Sequence, residues 1–167
     1  MKLVVADASS LILLAKAGVM DEVCGSFEVH IEESVFEECC STDSLERYPD
    51  SAAIKRLCDR GRIRRASAAA APELPFRLGR GESAAIALAV KLKADALLTD
   101  DGKAIKACRF LSIPYTTSPQ VLIDLVRFRK ISVDRARSAM NCLRLAGRYK
   151  EIIITQYLLM LGKEAEK

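Results

Sequence analysis

The chain has 167 residues, with 26 Lys and Arg against 22 Asp and Glu, for a formal net charge of +4. Half of the residues are hydrophobic and 29% are charged, which supplies a packed core, excludes a disordered chain and fits one compact domain. A single histidine, His30, excludes histidine-rich metal sites. The six cysteines have no Cys-x-x-Cys spacing and no partner histidines, so they suggest neither a zinc knuckle nor a redox pair, and free thiols in a reducing cytosol are expected.

At the start, Asp7 interrupts the apolar run that an export signal needs. Near the end, Ile152 to Leu161 is about half of the roughly 20 residues needed to span a bilayer. The expectation is a cytoplasmic protein with no membrane segment.

In chain order, Lys2 to Ala6 reads as a short buried strand and Leu11 to Lys16 as a helix closed by Gly18. Glu28 to Ile31 follows as a strand and Val35 to Cys40 as a helix. Pro49 opens a helix through Arg60 that Gly61 ends, before a basic strand at Arg62 to Ala66 and a loop to Pro75. The helix from Glu82 to about Lys93 carries one apolar face, Ala85, Ile86, Ala89, Val90 and Leu92, and precedes a strand at Ala96 to Thr99. Asp101 to Leu111 reads as helix, Ile113 to Tyr115 as strand, and Ser118-Pro119 as cap plus first position of a helix to about Lys130. Ser132 caps the next helix, which Gly147 ends. The last, about Lys150 to Leu161, is apolar on nearly every side and is expected to be buried or to pack on another chain. Strands alternating with helices predict an α/β fold, a parallel sheet with helices on both faces.

Charge is strongly segregated: residues 1–46 carry a net −8, residues 47–80 a net +6, residues 81–126 balance, and residues 127–167 carry +6. An acidic beginning beside basic stretches suits carboxylates that hold a cation next to Lys and Arg that hold a polyanion. The run Arg60 to Arg65 also fits an edge strand whose outward charges discourage aggregation.

Functional groups of open parallel sheets gather beyond the carboxyl ends of strands. Asp7 follows the first strand directly, and Asp100 and Asp101 follow Ala96 to Thr99. Glu38 lies one to two turns after the second strand, and Glu82 opens its helix behind Gly79 and Gly81. Each also has an ordinary reading as a helix cap, a first-turn acid or a solvated face. Together they need compensation, because unit charges ~5 Å apart repel by about 3 kcal/mol at an effective dielectric near 20. A hard divalent cation, Mg²⁺ or Mn²⁺, supplies it through oxygen ligands alone.

These residues resemble the PIN-domain nucleases, whose members include toxin ribonucleases of prokaryotic toxin–antitoxin pairs. The resemblance rests on the strand with Asp7-Ala8-Ser9, Val35-Phe36-Glu37-Glu38, the segment Gly79-Arg80-Gly81-Glu82-Ser83-Ala84-Ala85, and Leu97-Leu98-Thr99-Asp100-Asp101. It implies a single-domain three-layer α/β/α sandwich with a central, mainly parallel sheet, residues 1–117 forming the catalytic core and 118–167 a helical extension packed on the core or a partner. It further implies Asp7, Glu38, Glu82 and Asp101 or Asp100 as catalytic carboxylates, with Asp7, Glu82, Asp101 and Asp100 as metal ligands and Ser9 and Thr99 supporting them.

The implied activity is endonucleolytic hydrolysis of RNA, with carboxylate-bound Mg²⁺ or Mn²⁺ activating a water. RNA contacts are expected from Arg62, Arg64, Arg65 and Arg80, and the expected partners are a second copy of the chain and a small antitoxin protein. Many relatives carry a second acid two residues after the Glu, where this chain has Ala84; this keeps a non-cleaving RNA- or protein-binding module as the alternative. A phosphatase of the haloacid dehalogenase type wants an Asp two residues after Asp7, where Ser9 stands.

Overall fold

Strand β1 (Lys2–Ala6) has Val4, Val5 and Ala6 all buried, as an apolar run covered on both sheet faces must be. The computed structural model describes all 167 residues. After β1 come α1 (Ala8–Lys16), α2 (Met20–Ser26), β2 (Phe27–Glu32), α3 (Glu33–Cys39), α4 (Thr42–Arg47), α5 (Pro49–Asp59) and β3 (Ile63–Ala66). Then follow α6 (Arg80–Leu92), β4 (Ala96–Leu98), α7 (Gly102–Leu111), β5 (Tyr115–Thr116), α8 (Ser118–Arg127), α9 (Val133–Ala146) and α10 (Glu151–Ala165).

All strand pairings are parallel, in the spatial order β3, β2, β1, β4, β5. The chain builds outward from β1 through β2 and β3, then returns to lay β4 on the other side of β1. That reversal opens a crevice at the carboxyl ends of β1 and β4. Ala6 pairs with Leu98, and the Asp7 N–H donates to the Leu98 carbonyl at 3.2 Å, so Asp7 and Thr99 leave the sheet side by side.

Alternation along the strands divides the core into two layers. Val4, Ala6, Val29, Ile31 and Leu98 face a large cluster with α1, α2, α5 and α8 to α10, while Val5 and Leu97 face a smaller one with α6 and α7. The fold is therefore a single three-layer α/β/α unit, and each fully buried Leu or Ile in it contributes about 1.5–3 kcal/mol. The C-terminal helices share the large cluster through Leu122, Met140, Leu143, Ile154 and Leu161. Arg127 to Glu164 at 3.1 Å joins α8 to α10, and Arg135 to Glu22 joins α9 to α2.

Several boundaries differ from expectation for local reasons. Helix α1 starts at Ala8 rather than Leu11, because the Asp7 carboxylate accepts the Ser10 N–H and caps it. Thr117, not Ser118, caps α8. Strand β5 is Tyr115–Thr116 rather than Ile113 to Tyr115, since the Ile113 N–H instead closes α7 on the Cys108 carbonyl. The short helices α2 and α4 had no signal, being too brief to show a periodic face. Helix α10 extends to Ala165 and buries only Ile154 and Leu161; Ile152 is 60% and Leu159 65% exposed, so it is not enclosed on every side. No helix is long and apolar enough to cross a membrane.

Candidate functional site

Asp7 sits at the end of β1 and is 3% exposed. Its Oδ1 accepts the Ser10 N–H at 2.9 Å and the Ser9 hydroxyl at 3.2 Å, and its Oδ2 accepts the Thr99 hydroxyl. Burial raises the Asp7 pKa above the ordinary carboxylate value; the bonds from Thr99 and Ser10 oppose the rise and the Asp100 charge adds to it. Asp7 is thus both the cap of α1 and the deepest acid of the edge.

Thr99, fully buried, donates to Asp7 and accepts the Asp101 N–H at 3.2 Å. Asp101 caps α7 through Oδ1, which accepts the Ala104 N–H at 2.8 Å, and its Oδ2 makes no hydrogen bond. Asp100 is held by other partners. Its Oδ1 accepts the Ser118 N–H at 2.9 Å, and its Oδ2 accepts the hydroxyls of Ser118 and, at 3.1 Å, of Ser10. Ser10 and Ser118 are positioning residues that the strand-and-acid pattern gave no reason to single out.

Glu38 on α3 and Glu82 in the first turn of α6 flank the edge, α3 packing into the large cluster and α6 into the small one. A Cβ at Gly79 would collide with the Glu82 carboxylate, and one at Gly81 would lie 2.8 Å from Glu38 Oε2. The two glycines let both glutamates fold against the turn, in keeping with the tight Gly-x-Gly spacing. Loss of hydration raises the Glu38 pKa, and the charges of Glu82 and Asp7 raise it further.

None of Asp7, Glu38, Glu82, Asp100 and Asp101 has a cationic side chain within 4.0 Å, although the adjacent Glu37 reaches Arg80. This is an anionic edge that the fold leaves uncompensated. Its donors are all oxygens, which suit a hard cation such as Mg²⁺ or Mn²⁺. No three acidic side chains converge into a compact cluster, so the donor set fits a cation that keeps several waters rather than a closed cage.

A groove of about 410 Å³ opens above this edge, lined by Ser9 and Lys16 of α1, by Glu82, Asp100 and Asp101, and by Arg148 and Tyr149. A second hollow of about 350 Å³ joins Glu38 and Gly81 to Glu37 and Arg80. The remaining arginines singled out in the sequence lie at the outer strand, β3, and its approach. Arg64 pairs with Glu28 at 2.7 Å, Arg65 pairs with Glu33 and stacks 3.6 Å over the Phe36 ring, and Arg62 is exposed without an acidic partner. Arg148 and Tyr149 carried no sequence signal, because they reach the groove from the α9–α10 connection, remote in sequence from the acids; Lys16 ends the helix that Asp7 caps and reads there as an ordinary last-turn base.

A family model for a PIN domain, DUF3368, matches residues 3–163. No curated protein matches the chain. The all-parallel sheet, the carboxylates brought to the edge where its order reverses, and a match over nearly the whole length agree: the chain belongs to the PIN-domain family, whose members are generally nucleases.

Proposed function

We propose that the chain is an endoribonuclease of PIN type that uses Mg²⁺ or Mn²⁺ to hydrolyse RNA phosphodiesters. The observation that carries this reading is the set of five carboxylates at one sheet edge, every one without an ion-pair partner, three of which, Glu82, Asp100 and Asp101, line a groove together with Lys16 and Arg148. Asp7, Glu82, Asp101 and Asp100 would hold the cation, and Glu38 adds a further carboxylate across Gly81. When bound, the cation supplies charge neutralisation at the phosphodiester and lowers the pKa of a coordinated water. No side chain need act as nucleophile. Thr99 and Ser9 fix Asp7, while Ser10 and Ser118 fix Asp100, so these oxygens need little reorganisation on binding.

Arg62, Arg64, Arg65 and Arg80 are the proposed outer contacts for the RNA backbone. The exposed apolar side chains of α10, Ile152 and Leu159, support pairing of two copies. A small antitoxin protein across the groove and a cytoplasmic setting belong to the same reading. The test is cleavage of structured and unstructured RNA in Mg²⁺, Mn²⁺ or chelator, comparing wild type with Asp7→Asn. Metal-dependent cleavage lost in the variant supports the proposal. The second reading, a module that binds RNA without cutting it, draws on Ala84 and on the absence of a compact carboxylate cluster; it predicts binding with no cleavage in either metal.

A further inference from the structure

The segment between α9 and α10 turns back over the carboxylate edge. At Gly147 the backbone is extended, with φ −91°, so the glycine is required by space rather than by its dihedral: a Cβ there would collide with the Tyr149 ring. Tyr149 folds against Gly147 and buries its hydroxyl near Asp100 and Ser118, where it makes no hydrogen bond. The ring is thereby lodged beside the residues that orient Asp100, and Arg148 stands between these two fixed neighbours.

Arg148 is exposed, lines the groove, and has neither an ion pair nor a hydrogen bond, although Glu82, Asp100 and Asp101 line the same groove. Lys16, at the end of α1, lines the same groove; it reaches Asp50 only at 3.9 Å and lies 6.0 Å from the centre of the Tyr48 ring. Two cations thus line the same groove as the carboxylates, and its volume is large enough for a ligand, since binding clefts run to about 300–1,000 Å³. An anion in the groove would meet the guanidinium donors of Arg148. A guanidinium offers paired N–H donors that match phosphate oxygens.

We infer that Arg148, located by the packing of Tyr149 on Gly147 and assisted by Lys16, binds a phosphate of the RNA backbone beside the carboxylate edge. The inference rests on the nuclease reading above and adds the C-terminal segment to the substrate site.

The experiment measures binding of a labelled single-stranded oligoribonucleotide in chelator, so that nothing is cleaved, over a range of salt. Arg148→Glu should weaken binding about tenfold or more and lower the salt slope by about 0.7 for each phosphate no longer neutralised. Arg148→Lys should keep the slope, and Gly147→Ala should weaken binding by displacing Tyr149. Arg148→Gln gives the same readout without reversing charge should the Glu variant fail to fold. If the Glu and Gln variants bind with wild-type affinity and slope while wild type cleaves RNA in metal, the assignment of Arg148 is overturned and the nuclease reading stands. If wild type neither binds nor cleaves, both fall.

Discussion

Thr99 and Asp7 are joined across the β1–β4 pair, the hydroxyl of one donating to Oδ2 of the other, and the same hydroxyl oxygen accepts the Asp101 N–H. One buried side chain therefore sets the position of an acid from each strand. Thr99→Val should destabilise the fold by about 1–3 kcal/mol, because Asp7 and the Asp101 N–H both lose a partner where water cannot replace it. At roughly 2–4 °C per kcal/mol for a domain of this size, the melting point should fall measurably. Thr99→Ser should restore most of it, and equal melting of the Val variant and wild type would show that the bond contributes nothing.

Asp7→Asn should abolish cleavage while leaving the fold intact. Asn caps a helix about as well as Asp, so its Oδ1 keeps the Ser10 N–H, and the Thr99 hydroxyl can turn to accept from the new amide. What disappears is a buried negative charge. Melting should be unchanged or slightly raised in chelator, with RNA hydrolysis lost, and Glu82→Gln should lose activity similarly. Wild-type turnover in pure Asp7→Asn protein would remove Asp7 from the mechanism.

The sheet and its acidic edge were legible because they follow from local rules. A short apolar run ending in Asp, as at Val5-Ala6-Asp7 and Leu97-Leu98-Thr99-Asp100, fixes both a buried strand and an acid at its carboxyl end. Gly79 and Gly81 announced a close approach, and the structure puts carboxylates there. The rest was hidden because it depends on packing between distant segments. Ser118 reads as a helix cap beside Pro119, yet Thr117 takes that role and frees Ser118 for Asp100. Arg148 reads as one charge in a basic tail until α9 and α10, packed on α8 and α1, bring it to the groove that Glu82, Asp100 and Asp101 line. Helix α10 looked apolar all round because composition does not reveal that only one seam, Ile154 to Leu161, meets the core.

Gly81→Ala should leave stability nearly unchanged and weaken metal binding. The added methyl meets the far end of Glu38, a flexible side chain that can swing aside at little cost. Moving it displaces an acid from the edge, and losing a supporting group of this kind lowers metal affinity roughly tenfold or more. Calorimetric titration with Mn²⁺ would measure this; unchanged affinity would place Glu38 outside the metal site.

The raised pKa values of Asp7 and Glu38 give stability a definite pH slope in chelator. Between the ordinary carboxylate value and the raised one, the folded chain holds protons that the unfolded chain has released, so stability falls as pH rises through that window. Glu28, lowered by its hydrogen bond with His30, and Glu164, lowered by Lys167, act below the ordinary value and in the opposite sense. Metal-free wild type should therefore melt lower as the buffer pH rises above the ordinary carboxylate value. Asp7→Asn combined with Glu38→Gln should flatten that slope, and an unaltered slope would assign it to other groups.

Divalent metal should raise the melting point, and more at neutral than at acid pH, because the ligating carboxylates must be deprotonated. An edge assembled by folding binds a cation far better than the extended chain, which keeps only the neighbours Asp100 and Asp101 together and separates them from Asp7 and Glu82. At free metal ~100 times the dissociation constant, linkage gives about 2.7 kcal/mol. At roughly 2–4 °C per kcal/mol this is a shift on the order of 5–10 °C. The control is Asp7→Asn with Asp101→Asn. It removes two ligand charges while both side chains remain able to cap α1 and α7. That variant should respond weakly to Mg²⁺ or Mn²⁺ and melt at or above the metal-free wild type, since like-charge repulsion at the edge is relieved. A wild-type melting curve indifferent to millimolar metal would weigh against a cation site at this edge and toward a module that binds RNA without cutting it.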